Sequence, residues 1–109
     1  MAKGSETRFL AFEVEQALLA LGSHLRRCRL ARGDTLQIAA ERCGVHAQTI
    51  ARIEKGDPSA AVGTVFALVH LYGQGARLFD LARTDEETEI LYRRLLPSRG
   101  LRSKTKVVA

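Results

Sequence analysis

Apolar positions in this chain recur at spacings of three, four and seven, and no stretch alternates convincingly at two. Val14, Ala17, Leu18, Leu21, Leu25 and Cys28 form one stripe of a segment running to Gly33, which predicts a long first helix with Arg26, Arg27 and Arg32 off the stripe. Leu36, Ala39, Ala40 and Cys43 repeat the spacing over a shorter stretch. It opens at Thr35, whose hydroxyl suits a helix cap, and closes at Gly44, a residue free to take the left-handed turn that ends one helix and starts another. Val45, Ile50 and Ile53 give a third helix its apolar face, and Ala47, Gln48, Ala51 and Arg52 fall opposite. Gly56, Asp57 and Pro58 stop it, because proline does not continue a helix and the residue before it avoids helical geometry.

A fourth helix is predicted from about residue 61 to 72 on Val62, Val65, Phe66 and Val69, ended by Gly73-Gln74-Gly75. Leu78, Phe79 and Leu81 make a short fifth. Thr84 or Asp85 caps a sixth, whose opening acids Asp85, Glu86, Glu87 and Glu89 stand where the positive helix end favours them, with Ile90, Leu91 and Leu95 as its buried side. Phe9-Leu10-Ala11-Phe12 fits a strand, an early helical turn or a partner-binding patch. The fold class expected is all-α, divided into an N-terminal extension (1–13), a helical domain (14–83), and a last helix with a basic tail (84–109).

Composition narrows the function. At 109 residues and 46% hydrophobic, the chain can bury one core and not two. A net charge of +5 favours a polyanionic partner, either nucleic acid or an anionic membrane surface, and charge alone does not choose between them. No apolar run reaches membrane-spanning length and the first residues lack a signal-peptide core, so a cytoplasmic location is expected. The basic residues are dispersed over the bundle, and the tail lacks interleaved aromatics, which disfavours the membrane surface. From Pro97 onward Arg99, Arg102, Lys104 and Lys106 appear among Ser, Gly and Thr, a composition expected to be mobile in isolation.

Enzymatic chemistry finds little support. His24, His46 and His70 lie on three different predicted helices, without a nearby cluster at ligand spacing, and no phosphate-cradling glycine loop is present. The acids at 85 to 89 point in different directions around a helix start, so they read as a solvated, dipole-stabilising face. Cys28 and Cys43 have no metal-ligand spacing and read as reduced, buried thiols. No cofactor, metal or catalytic residue is expected.

The two short helices hinged at Gly44 have the layout that lets a helix project into DNA. The face of Ala47, Gln48, Ala51 and Arg52 is small and uncharged at its start and ends in arginine, which suits close approach to base edges. Leu21-Gly22 to Arg32-Gly33, Thr35 to Gly56 and Asp57-Pro58-Ser59 to Leu71 together resemble the helix-turn-helix domain of the XRE family, the lambda-repressor-like regulators. The strongest part is Ala40-Glu41-Arg42-Cys43-Gly44-Val45 with Ile50-Ala51-Arg52-Ile53-Glu54-Lys55-Gly56. The resemblance implies a compact bundle of about five helices. Its third helix enters the major groove, its second crosses the backbone, and dimers bind two-fold symmetric operators on double-stranded DNA.

Carried onto this chain, the resemblance starts the reading helix at His46 or Ala47 and makes Ala47, Gln48, Ala51 and Arg52 the base-reading candidates. Glutamine pairs bidentately with adenine and arginine with guanine, and alanines touch a thymine methyl. Thr35, Gln37, His46 and Lys55 become phosphate candidates. The resemblance also implies a structural ion pair, Arg29 with Glu54, that orients the reading helix. Three positions depart from the family's pattern. Leu36 replaces a glutamine that touches the DNA backbone, His46 replaces a Ser or Thr cap, and Ala39 replaces a larger aliphatic residue, leaving a gap that is either loose or filled by a neighbour.

Gly56-Asp57-Pro58-Ser59, Leu78-Phe79-Asp80-Leu81-Ala82, and Leu96-Pro97 with the basic tail are similar, within that family, to HipB-type antitoxins. That resemblance implies a dimeric repressor of its own operon that binds a HipA-type kinase toxin. The alternative is an autonomous XRE-family repressor with no toxin partner. Arg99, Arg102, Lys104 and Lys106 then contact the toxin, add charge contacts to DNA, or form a solvated end.

Overall fold

The computed structural model describes residues 10–96. Every regular element among them is helical: α1 (Phe12–Ala31), α2 (Leu36–Cys43), α3 (Ala47–Glu54), α4 (Val62–Leu71), a 3-10 turn (Gly75–Arg77), α5 (Leu78–Ala82) and α6 (Glu86–Leu95). This is the all-α class expected. The chain divides into two units between Phe79 and Asp80, within α5. The basic tail, with Arg99, Arg102, Lys104 and Lys106, and Phe9 lie outside the described residues. Phe12 opens α1 and is exposed.

In the first unit α3 packs against both α1 and α2, and α4 packs against α2. One core joins them, built from Leu25 and Cys28 of α1, Ala39 and Ala40 of α2, Ile50 and Ile53 of α3, and Leu68, Val69 and Tyr72 at the end of α4. Ala39 and Ala40 are fully enclosed, so neighbours close the gap that a small residue leaves at position 39. Leu36, Cys43, Val45 and Ala47 are half-buried around this core.

All four helices of this unit end in the same way. At α2 the N–H of Gly44 donates to the Glu41 carbonyl at 3.3 Å and that of Val45 to the Ala40 carbonyl at 3.0 Å. Gly44 has a φ of 70°, which a side chain would strain, and these paired bonds satisfy carbonyls that a helix end otherwise leaves open. Gly33, Gly56 and Gly73 close α1, α3 and α4 with the same pair of bonds. Sharp, hydrogen-bonded stops let short helices follow one another with few residues between them.

The apolar pattern misplaces three faces. On α1 only the second half is buried, at Gly22, Leu25, Cys28 and Arg29, whereas Val14 and Ala17 are exposed. At 1.5 Å per residue α1 is about 30 Å long and its eight-residue partner α3 about 12 Å, so the first turns extend past the helices that could cover them. On α4 Val62 is 65% exposed and Phe66 38%, whereas Leu68 and Val69 are buried. That helix is apolar nearly all round, so its sequence does not mark one face. On α6 the expected buried side is open: Ile90, Leu91 and Leu95 are all exposed, and no residue of the helix is buried.

The helix α6 carries its N-terminal cap and its dipole-matching charges in its own sequence. Asp85 Oδ2 accepts from the Thr88 N–H at 2.9 Å and Oδ1 from the Thr88 hydroxyl at 2.8 Å, which caps the helix. These bonds hold the Asp85 carboxyl below the usual aspartate range. Glu86, Glu87 and Glu89 sit in the first turn and Arg93 and Arg94 in the last, each sign at the end the dipole favours.

Candidate DNA-binding surface

The candidate surface is built around α3, and the rest of the unit fixes where that helix points. Gly22 on α1 allows the closest approach. A Cβ there would stand 2.5 Å from the Glu54 carbonyl oxygen and 2.6 Å from that of Ile53, both main-chain atoms. Helices α1 and α3 therefore cross backbone against side-chain-free backbone. Seven residues further along α1, Arg29 reaches the end of α3 as a bidentate fork, with Nε donating to Glu54 Oε2 at 2.7 Å and Nη2 to Oε1 at 3.0 Å. Its third nitrogen donates to the Asp34 carbonyl at 3.0 Å. The two side chains are 8% and 6% exposed, so this is a buried, fully engaged ion pair. The bond to Glu54 raises the guanidinium pKa further above its ordinary value, against the opposing effect of burial. The Asp34 carboxylate in turn pairs with Arg42 of α2 at 3.1 Å.

Within α3, Ile50 and Ile53 are buried and define the inner face. Gln48 and Arg52 project from the outer face, with Lys55 exposed just past the helix end. Ala47 and Ala51 are half-buried on the flank, and Ala47 packs on the core, so neither stands on the open face beside Gln48 and Arg52. Helical spacing explains this: residues 47, 51 and 54 adjoin the row of Ile50. Arg52 is engaged, its Nε standing 3.4 Å from Asp57 Oδ2.

The phosphate candidates divide. The Thr35 hydroxyl accepts from the Ile38 N–H at 3.1 Å and caps α2, and a hydroxyl used in this way still has a proton to donate outward. Gln37 is exposed and makes a long 3.5 Å contact to Glu41. Helix α3 starts at Ala47; His46 is the exposed residue before it and makes no side-chain cap bond. The opening turn of α3 thus lacks the side-chain partner that Thr35 gives α2.

The remaining histidines and cysteines are structural or plain. His24 lies 2.9 Å from Gln74 Oε1 and 3.6 Å from Cys28 Sγ, tying α1 to the turn after α4. Cys28 is buried and Cys43 half-buried, both are free thiols, and burial pushes the Cys43 thiol up. Among the described residues no group of three His, Cys, Asp or Glu side chains converges to hold a metal, and no helix is long and apolar enough to cross a membrane. Gly22 and Asp34 matter to this surface although their types and neighbours carried no sign of it. Only Arg52 and Asp57 at a helix end, five apart, were close enough in sequence to suggest a pair.

Two short helices joined through a left-handed glycine, the second presenting polar side chains outward, define an all-helical helix-turn-helix protein. The family model described as "Helix-turn-helix domain" matches residues 20–82, more than half of the chain, and the chain belongs to that family. That places it among DNA-binding regulators. Searches of curated proteins and of solved structures found no significant match.

Proposed function

We propose that this chain is a sequence-specific repressor of the XRE type that binds a palindromic operator in double-stranded DNA as a homodimer. The observation that carries the reading is the exposure of Gln48 and Arg52 on a helix whose end is clamped by the buried Arg29–Glu54 pair. Held in this way, α3 offers adenine and guanine their bidentate partners from a fixed frame, with Ala47 and Ala51 at its flank toward thymine methyls. Thr35, Gln37, His46 and Lys55 supply the phosphate contacts that set register. A cytoplasmic location goes with that partner.

The finer reading is a HipB-like antitoxin that represses its own operon and binds and neutralises a HipA-type kinase toxin. It is supported by the Gly56-Asp57-Pro58-Ser59 turn, the leucine-rich segment 78–82 and the basic residues Arg99, Arg102, Lys104 and Lys106. In this reading residues 14–83 serve DNA and residues 84–109 serve the toxin.

Selection of bound sites from a random DNA pool, with solution mass measured alongside, tests the first part. A two-fold symmetric consensus bound by a dimer is expected, and discrimination falls in Gln48→Ala and Arg52→Ala at one base pair each per half-site. Unchanged selectivity in both variants defeats the base-reading assignment. Co-purification with a kinase encoded in the adjacent reading frame tests the second part, and a gene with no such neighbour leaves the autonomous repressor.

A further inference from the structure

Arg52 is the most consequential side chain of the proposed reading face, and a free arginine there would have to be ordered on every encounter with DNA. It is already held. The turn after α3 places Asp57 so that its N–H donates to the Arg52 carbonyl at 3.1 Å while its Oδ2 stands 3.4 Å from Arg52 Nε. The carboxylate is fixed from the other side: its Oδ1 accepts from both the N–H and the hydroxyl of Ser59, each at 2.8 Å. Asp57 is the less exposed partner, at 24% for its side chain against 59% for Arg52, so the anchor is built into the turn and the arginine extends from it.

We propose that Asp57 is a positioning residue that sets which base pair Arg52 reads and how strictly, an inference that rests on α3 being the reading helix. The contact engages Nε at the edge of the guanidinium. A carboxylate at that edge biases the direction in which the fork presents its terminal nitrogens, and guanine recognition depends on such a fork meeting two acceptors at once. The carboxylate has a second effect. Close to DNA it opposes phosphates, so it weakens binding wherever Arg52 finds no guanine to justify the approach, which separates cognate from non-cognate sites. The turn Gly56-Asp57-Pro58-Ser59 thereby ends the helix and orients its most specific side chain.

Asp57→Asn separates these roles. The amide oxygen keeps both bonds from Ser59, while the amide NH2, a donor, faces Arg52 Nε and cannot hold it. Binding to the selected operator and to each single-base-pair substitution of it is measured for the parent, Asp57→Asn, Arg52→Ala and the double variant, over a range of salt. The expected result is a roughly tenfold loss of discrimination in Asp57→Asn at the same base pair that Arg52→Ala relaxes, with little further loss in the double variant. The salt dependence of Asp57→Asn steepens by about one released ion. Discrimination unchanged in Asp57→Asn, lost evenly at all positions, or lost equally when Arg52 is already absent would overturn the proposal. Arg52→Ala retaining discrimination everywhere overturns the base-reading assignment itself, and only that variant shows it. A thermal melt checks folding. If Asp57→Asn does not fold, Asp57→Glu decides: it keeps the charge but displaces the anchor, so discrimination at that base pair falls while the salt dependence stays that of the parent, and full retention overturns the proposal.

Discussion

Helices α2 and α3 have equal lengths, meet at one glycine and stop on the same kind of turn, yet they differ in how they start and in what fixes their ends. Helix α2 is closed by its own neighbours in sequence, capped by Thr35 and stopped by Gly44. Helix α3 has no side-chain cap at His46 and takes its position from distant residues: Gly22 beneath its last carbonyls and Arg29 on Glu54. The helix proposed to lie on the backbone carries its cap in its own sequence, whereas the one proposed to read bases is uncapped and aimed by α1. An aim set by tertiary contacts can be precise without using the residues that face DNA.

The sharpest way to break this contrast is Glu54→Ala. It leaves the Arg29 guanidinium buried without its carboxylate, a change expected to cost about 3–5 kcal/mol. Urea denaturation monitored by helicity should show the unfolding free energy fall by that much, and a loss below about 1 kcal/mol would mean α3 does not depend on the pair. Replacing both residues, as Arg29→Met with Glu54→Leu, should restore much of the stability, because two well-packed apolar side chains avoid the desolvation of two charges. Operator discrimination should stay impaired in that double variant if the pair's role is aim.

Gly22→Ala comes next. The added methyl group meets main-chain oxygens that no rotamer change can move, so α1 and α3 must separate; about 1–3 kcal/mol is expected from such overpacking. A neutral or stabilising result, which helix propensity alone would favour, would show that the crossing is looser than the distances indicate.

The caps test the contrast directly. Thr35→Ala should cost about 1 kcal/mol, since the Ile38 N–H loses its partner. His46→Ser should do the reverse and stabilise the fold by up to about 1 kcal/mol by giving α3 the cap it lacks. Should the thermal midpoint of His46→Ser not rise, α3 already satisfies its first turn by other means. If the same variant also binds operator more weakly in every sequence context, the opening N–H groups of α3 serve phosphates in the parent.

What could be read from the sequence follows the same division. Thr35, Gly44 and the helical spacing of Val45, Ile50 and Ile53 are local signals, and the structure has the two helices where those signals put them. The faces of α1, α4 and α6 were not legible, each for its own reason. Val14 and Ala17 belong to turns that outrun their partners; Val62 and Phe66 lie on a helix apolar on nearly all sides; Ile90, Leu91 and Leu95 form a stripe that the described residues leave uncovered. Gly22 faces the Glu54 carbonyl and Arg29 donates to that of Asp34, and a carbonyl has no residue type to read. In the candidate site, spacing put Gln48 and Arg52 on the outer face and the resemblance gave them a role, but the approach of the Asp57 carboxylate to Arg52 depends on the geometry of the turn.

The smallest effect expected lies at α6, whose N-terminal cap is local and for which pH is the cleanest probe. Protonating Asp85 removes the acceptor charge that receives the Thr88 N–H and hydroxyl. Those bonds lower the folded-state pKa, so their contribution to stability is complete above the unfolded value, about 4 for an aspartate, and disappears as pH falls through the depressed folded value. The Thr88 amide resonance, followed by NMR in the full chain, should therefore shift with a midpoint below pH 4, and helicity over 86–95 should fray in step. Asp85→Asn caps without titrating, so the acid transition at Thr88 should vanish while helicity at neutral pH is kept. A midpoint at or above the ordinary aspartate value would mean that the cap is not populated in solution, and α6 would then need something beyond its own sequence to stay folded.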